Sequence, residues 1–192
     1  MKINDLERID RKRMFETYDN WPEIAASAFE TKIDKIDIKD IDHIVFAGMG
    51  GSGSLGDVMN SILSKEDIHV SVVKGYHLPK TIDSNSLVIT TSISGNTKET
   101  LSILEDTFKS NAKIASFSSG GIMREFCEKN DIFHQNIPMI HSPRASFPKF
   151  LFTILKSLEE IIPIKDKDME EAIRNLEKTK RNIFSGNLEA SS

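Results

Sequence analysis

The chain has 192 residues, 39% hydrophobic and 28% charged, with a formal net charge of −4 and an isoelectric point near 5.8. These values fit one soluble globular unit with a core of its own and argue against a basic nucleic-acid-binding surface. There is no apolar run long enough to span a membrane, and the charged N-terminus has no apolar leader, so the expected setting is the cytosol; the single cysteine, Cys127, excludes an internal disulfide and any multi-cysteine metal site.

The first forty residues read as helical in pattern, punctuated at Trp21-Pro22, where proline suits the first turn of a new helix. The basic cluster Arg11-Lys12-Arg13 is offset by Asp5, Glu7, Asp10 and Glu16 and reads as a solvated helix face. From His43 the period changes. Short apolar runs at 44–47, 70–73, 87–90, 114–117 and 132–133 alternate with helix-length segments at 54–64, 97–110 and 122–130. That alternation predicts an α/β fold with a five-stranded parallel sheet, doubly wound, and a ligand crevice at the strand C-termini. Cys127, on the last of these helices, reads as a passive thiol. Beyond the sheet, 147–161 and 167–184 read as helices divided by Pro163, the second with a sparse apolar stripe of Met169, Ala172, Ile173, Leu176 and Ile183. The expected organisation is an N-terminal helical segment over 1–40, a sheet domain over 41–162 and a C-terminal helix over 163–192.

Two strand-to-helix junctions carry the chemistry. The first is Gly48-Met49-Gly50-Gly51-Ser52-Gly53, the second Ser92-Ile93-Ser94-Gly95-Asn96-Thr97-Lys98-Glu99-Thr100. A phosphate dianion needs several converging donors, and a helix N-terminus supplies free N–H groups together with the positive end of the dipole. Ser52, Ser92, Ser94 and Thr97 add hydroxyls there, and Gly50, Gly51, Gly95 and Asn96 supply turn conformations and backbone approach. With Asn96 as N-cap, Glu99 would stand at the N3 capping-box position. No G-x-x-x-x-G-K-[ST] run exists, which sets a nucleotide triphosphate site aside. The glycines do fit G-x-G-x-x-G, but the next strand ends in Lys74-Gly75 with no carboxylate for a ribose, and a dinucleotide would leave the hydroxyl-rich loop unexplained.

Together the two loops resemble the sugar isomerase (SIS) domain, a flavodoxin-like sheet flanked by helices, and G-M-G-G-S-G with S-x-S-G-N-T-x-E-T is similar to the bifunctional phosphoglucose/phosphomannose isomerases. Ser142-Pro143-Arg144-Ala145-Ser146 is similar to the segment carrying that family's active-site arginine. The resemblance implies interconversion of fructose 6-phosphate with glucose or mannose 6-phosphate through a cis-enediolate. It implies Arg144 as the catalytic cation, and Gly50, Gly51, Ser52, Ser92, Ser94, Gly95, Asn96 and Thr97 as the substrate-binding set. A guanidinium stays protonated and holds two oxygens at once, which suits an enediolate. The family has two tandem SIS domains and this chain matches the first, with Asn187-Leu188-Glu189-Ala190 as the lead-in to a missing second. The family's catalytic glutamate and histidine have no matching position, so a base falls to Glu99, His134 or His141, or to another chain. The resemblance further implies a homodimer or a second SIS-containing chain as partner. No cofactor or metal is implied, since no pair of histidines has metal-ligand spacing.

Each reading has a plainer counterpart. Ser92, Ser94, Asn96 and Thr97 suit turns and caps regardless of ligand, Glu99 suits a helix first turn, and Arg144 suits a solvated surface. A non-catalytic sugar-phosphate-binding module is the alternative function.

Overall fold

The computed structural model describes residues 3–36 and 38–188. Expectations that fall on residues 189–192 lie outside the described residues. The elements run α1 (Ile3–Ile9), α2 (Met14–Asp19), α3 (Trp21–Glu30), β1 (His43–Ala47), α4 (Gly51–Ile62), β2 (His69–Val73), β3 (Ser86–Ser92), α5 (Lys98–Phe108), β4 (Lys113–Ser118), α6 (Gly121–Lys129), β5 (Phe133–Asn136), α7 (Phe147–Ser157) and α8 (Asp166–Ile183).

The five strands form one sheet in the order β2-β1-β3-β4-β5, and every pairing is parallel. Every residue of β1 and β3 is buried, as near-continuous apolar runs require when both faces are covered. Alternation sorts their side chains: Ile44, Phe46, Leu87 and Ile89 pack with Leu55 and Met59 of α4, with α3 and with α7. On the opposite face Val45, Ala47 and Val88 pack with Ile103 of α5, and Leu78 and Ile82 of the β2–β3 connection complete that cluster. Each large aliphatic side chain removed from water in this way contributes about 1.5–3 kcal/mol. Gly56 sets the spacing of α4 from the sheet, because a Cβ there would stand 2.9 Å from Val72 Cγ1 and 3.0 Å from Phe46 Cβ.

Several boundaries differ from the sequence reading. Helix α4 starts at Gly51 rather than at residue 54, because Gly50 at φ 54° turns the chain directly out of β1 into the helix. The N-terminal helices end at Glu30, short of residue 40. Beyond Thr31 the alternation of isoleucine with charged residues suits irregular chain laid on the core: Ile36 is buried, Ile38 and Ile41 pack against the same cluster, and Ile36 N–H donates to the Ser157 carbonyl. α7 ends at Ser157 rather than at residue 161, with Leu158 and Ile162 buried in the turn that follows. Pro22 stands in the first turn of α3 as expected, and Cys127 is fully buried on α6, which raises its thiol pKa. α8 buries only Met169 and Ile173, in keeping with its sparse apolar stripe.

At the N-terminal edge of the sheet His43 and His69 face each other in register with ring centroids 4.4 Å apart, and both Nε2 atoms meet Ser71 Oγ, at 2.9 and 3.3 Å. Burial, then the neighbouring His69, holds His43 below its ordinary value of 6.5. A depressed folded value means that the unfolded chain binds the proton first, so stability present above pH 6.5 is lost as pH falls through the folded value. The thermal midpoint is expected to drop between pH 7.5 and pH 5, and His43→Asn, which keeps a partner for Ser71, is expected to flatten that slope; an unchanged slope in calorimetric scans would remove His43 as its origin.

Candidate active site

The β1–α4, β3–α5, β4–α6 and β5–α7 connections all lie at the C-terminal edge of the sheet, as parallel pairing dictates. β1 and β3 are neighbours, and the helices that follow them cover opposite faces, so a crevice opens between the N-termini of α4 and α5 at the point where the strand order reverses.

In the β1–α4 loop the backbone is tight enough that a Cβ on Gly48 would lie 2.9 Å from Ser52, and one on Gly53 2.9 Å from the Gly48 carbonyl. Gly50 and Gly51 are exposed, whereas Ser52 is buried in the first turn of α4, with its N–H on the Met49 carbonyl at 3.0 Å. In the β3–α5 loop Ser92 is buried: its Oγ accepts the Gly95 N–H at 3.1 Å and lies 2.9 Å from Thr97 Oγ1. Thr97 occupies the N-cap of α5 and Glu99 therefore the N2 position, which corrects the assignment of Asn96 as N-cap and Glu99 as N3. Gly95 at φ 71° throws the chain sideways, so Asn96 turns away from its own helix and caps the next one. Asn96 Oδ1 accepts the Ile122 N–H at 3.1 Å, and the Gly95 carbonyl accepts the Met123 N–H at 2.9 Å.

The three helix N-termini are thereby distinguished. The first turn of α6 finds acceptors in Asn96 and Gly95, whereas α4 and α5 begin with no side-chain cap hydrogen bond. Orphan N–H groups and positive dipole ends at α4 and α5 remain for an anion in the crevice. Ser94, exposed beside them, receives the Asn96 N–H at 3.3 Å and retains a hydroxyl proton to donate.

The β4–α6 loop, which the sequence reading passed over, braces this arrangement. Ser119 Oγ and N–H both donate to the Ile93 carbonyl, at 2.6 and 3.1 Å, and a Cβ on Gly95 would fall 1.7 Å from the Gly120 carbonyl oxygen. The only sequence signal for this seam is the Ser118-Ser119-Gly120-Gly121 run at a strand end.

Arg144 sits on the β5–α7 turn, exposed, and its guanidinium forms no hydrogen bond or ion pair among the described residues. The three candidate bases are already engaged. His134 Nε2 lies 2.8 Å from Ser118 Oγ, and burial, then Arg124, lowers its pKa. His141 Nε2 bonds the Lys12 carbonyl at 2.9 Å, and Glu99 faces Tyr76, whose phenol it pushes above its ordinary value. Among the described residues no group of three or more His, Cys, Asp or Glu could hold a metal, and no helix is long and apolar enough to cross a membrane. An apolar hollow of about 500 Å³ lies elsewhere, between α1–α3 and the end of α8, lined by Leu6, Phe15, Trp21, Leu176 and Ile183 and by no residue of the glycine loops.

This edge of open helix ends and hydroxyls has a family. The SIS domain model matches residues 37–138, and the chain belongs to the SIS domain family. Within it, the chain is 39% identical over 171 residues to a bifunctional phosphoglucose/phosphomannose isomerase of Caldicellulosiruptor bescii, covering 85% of this chain and 50% of that protein. The enzyme of that name from Thermoplasma acidophilum is 35% identical over 130 residues, 68% of this chain and 39% of that protein. A D-glucosamine-6-phosphate 4-epimerase of Sulfolobus acidocaldarius is 29% identical over 143 residues, 74% of this chain and 44% of that protein. The chain thus spans half or less of the length of these relatives. Two solved structures share the fold at a TM-score of 0.61: the C-terminal domain of glucosamine-fructose-6-phosphate aminotransferase from Francisella tularensis, at 17% identity over 88% of this chain and 54% of that one, and glucosamine-6-phosphate deaminase from Thermotoga maritima, at 15% over 86% and 53%.

Gly95→Ala places a methyl group against the Gly120 carbonyl at a positive φ, so the seam between the two loops must open. A loss of about 3 kcal/mol in urea unfolding is expected, larger than for an alanine at the open and exposed Gly51; equal losses would show that the seam carries no strain.

Proposed function

We propose that this chain is the phosphosugar-binding half of an aldose–ketose isomerase acting on fructose 6-phosphate and glucose or mannose 6-phosphate. The observation that carries the reading is the pair of uncapped helix N-termini at the switch point, flanked by Ser52, Ser94 and Thr97. In this reading the phosphate takes N–H donors from Gly50 and Gly51 at the start of α4 and from Thr97 at the start of α5, while Ser52, Gly95 and Asn96, whose N–H groups are engaged within the loops, shape the binding surface. Ser94 is the free hydroxyl, and Ser92 acts from behind by holding Thr97 and Gly95 in place. Arg144, with no partner of its own, is the cation for the developing enediolate, where a fixed positive charge lowers the barrier to proton transfer between C1 and C2.

The functional unit is the sheet domain over 41–162, with 1–40 bracing it and 163–192 leading towards a second SIS unit, in this chain's continuation or in a partner. A cytoplasmic homodimer, or a pairing with a second SIS-containing chain, completes the site. The engagement of His134, His141 and Glu99 by Ser118, Lys12 and Tyr76 supports placing the base on that second unit, and it equally favours the rival reading of a non-catalytic sugar-phosphate-binding module. The epimerase among the relatives supports phosphosugar binding more broadly than any one reaction.

Phosphorus NMR of fructose 6-phosphate with the chain separates the readings. New glucose or mannose 6-phosphate resonances mean turnover; a shifted substrate signal without product means the binding module or an isolated half. Ser94→Ala with Thr97→Ala is expected to weaken binding by about 1–3 kcal/mol through lost charge-assisted hydrogen bonds. Arg144→Ala is expected to abolish any turnover while phosphate affinity stays within about fivefold, the worth of one modest contact. Unchanged affinity in the serine–threonine double variant would remove the phosphate assignment.

A further inference from the structure

We infer that Trp21, on the first turn of α3, is a positioning residue for Arg144, an inference that rests on the enediolate reading of that arginine. Arg144 has nothing of its own to hold it: the guanidinium is exposed and makes no hydrogen bond or ion pair among the described residues. Where it points is therefore set by the backbone of the turn at 143–146, and that backbone is tied down from outside. Trp21 Nε1–H donates to the carbonyl of Ala145, the residue next to Arg144, at 3.0 Å across 124 positions of sequence. Ala145 is fully buried, so this carbonyl has no water to replace a lost donor.

The indole is itself fixed. It starts α3 beside buried Pro22, packs edge-on against Tyr18 with centroids 4.9 Å apart, and α3 runs back into the core through Ala25 and Ala28. A second tie holds the other end of the loop. His141, in the left-handed region at φ 54°, bonds the Lys12 carbonyl at 2.9 Å. Inside the loop Ser146 Oγ accepts the Ile140 N–H at 2.8 Å and lies 2.9 Å from the Ser142 carbonyl, so the segment from 140 to 146 moves as a piece. A rigid turn matters for a bidentate cation more than for a phosphate-binding loop, because a guanidinium meets two oxygens only within a narrow range of angles.

The test uses two ligands that share a phosphate and differ at the reacting end. 5-Phosphoarabinonate carries a planar carboxylate in place of the enediolate, and arabinitol 5-phosphate lacks it. Calorimetric titration of the chain is expected to show tighter binding of the aldonate, and Arg144→Ala to erase that preference. Trp21→Phe keeps the ring and removes the donor; it is expected to weaken the aldonate about fivefold, to leave the alditol phosphate within about twofold, and to add nothing in the Arg144→Ala background. Equal weakening of both ligands, or the same aldonate loss with and without Arg144, would reduce Trp21 to a packing residue while the enediolate reading survives. An aldonate preference untouched by Arg144→Ala would remove that reading and this inference together. Because the chain has one tryptophan, the unmodified protein offers a check that does not depend on how the variants fold. Its single indole N–H resonance is expected to shift on addition of the aldonate and to stay in place with the alditol phosphate; an unmoved resonance counts against coupling between the two residues.

Discussion

The parallel register of β1 against β3 is the constraint on which the rest depends. With Ile44 opposite Leu87 and Ala47 opposite Thr90, the two strands run in step to the end of β1, β3 continues two residues to Ser92, and their chains leave for opposite faces of the sheet. A crevice between two helix N-termini is the geometric consequence, and it forms before any ligand-binding side chain is considered. The buried faces that fix the register do so because a slip of one residue would exchange Val45 and Val88 for their neighbours on the other side.

What distinguishes the two open helix ends from the closed one is a division of labour among short polar side chains. Asn96 and the Gly95 carbonyl serve α6, while Ser92 and Thr97 serve each other, so α4 and α5 begin without a side-chain cap. Glycine at 95 is required twice over, by its positive φ and by the nearness of Gly120. The seam between the β3–α5 and β4–α6 loops preorganises the crevice at the cost of any side chain there, and that economy of volume lets backbone donors converge on one anion.

The N-terminal helices gain significance from the same frame. They meet the sheet domain at α7 and also at the Arg144 turn, through Trp21 and through the Lys12 carbonyl. Asp19 and Glu23 on that segment in turn receive Ser185 and Lys180 from the far end of the chain. The two termini and the arginine turn are therefore tied together by hydrogen bonds through the N-terminal helices, and the apolar hollow lies between those helices and the end of α8.

The sequence by itself determined the sheet, because short apolar runs alternating with helix-length segments are covered on both faces as parallel strands, as β1 and β3 are; it also determined both glycine loops, since chain order alone puts them at one edge. Cys127 was legible as a buried thiol and Pro22 as a first-turn proline for equally local reasons. Three things were decided only by the tertiary structure. Asn96 caps α6 instead of α5 because a left-handed glycine before it redirects its side chain towards a loop 26 residues away. Residues after Thr31 leave the helix because Ile36 finds its hydrogen-bond partner at Ser157. Trp21 reaches Ala145 across 124 positions, and no local pattern encodes such a contact, since it exists only once α3 and α7 have packed on the same face of the sheet.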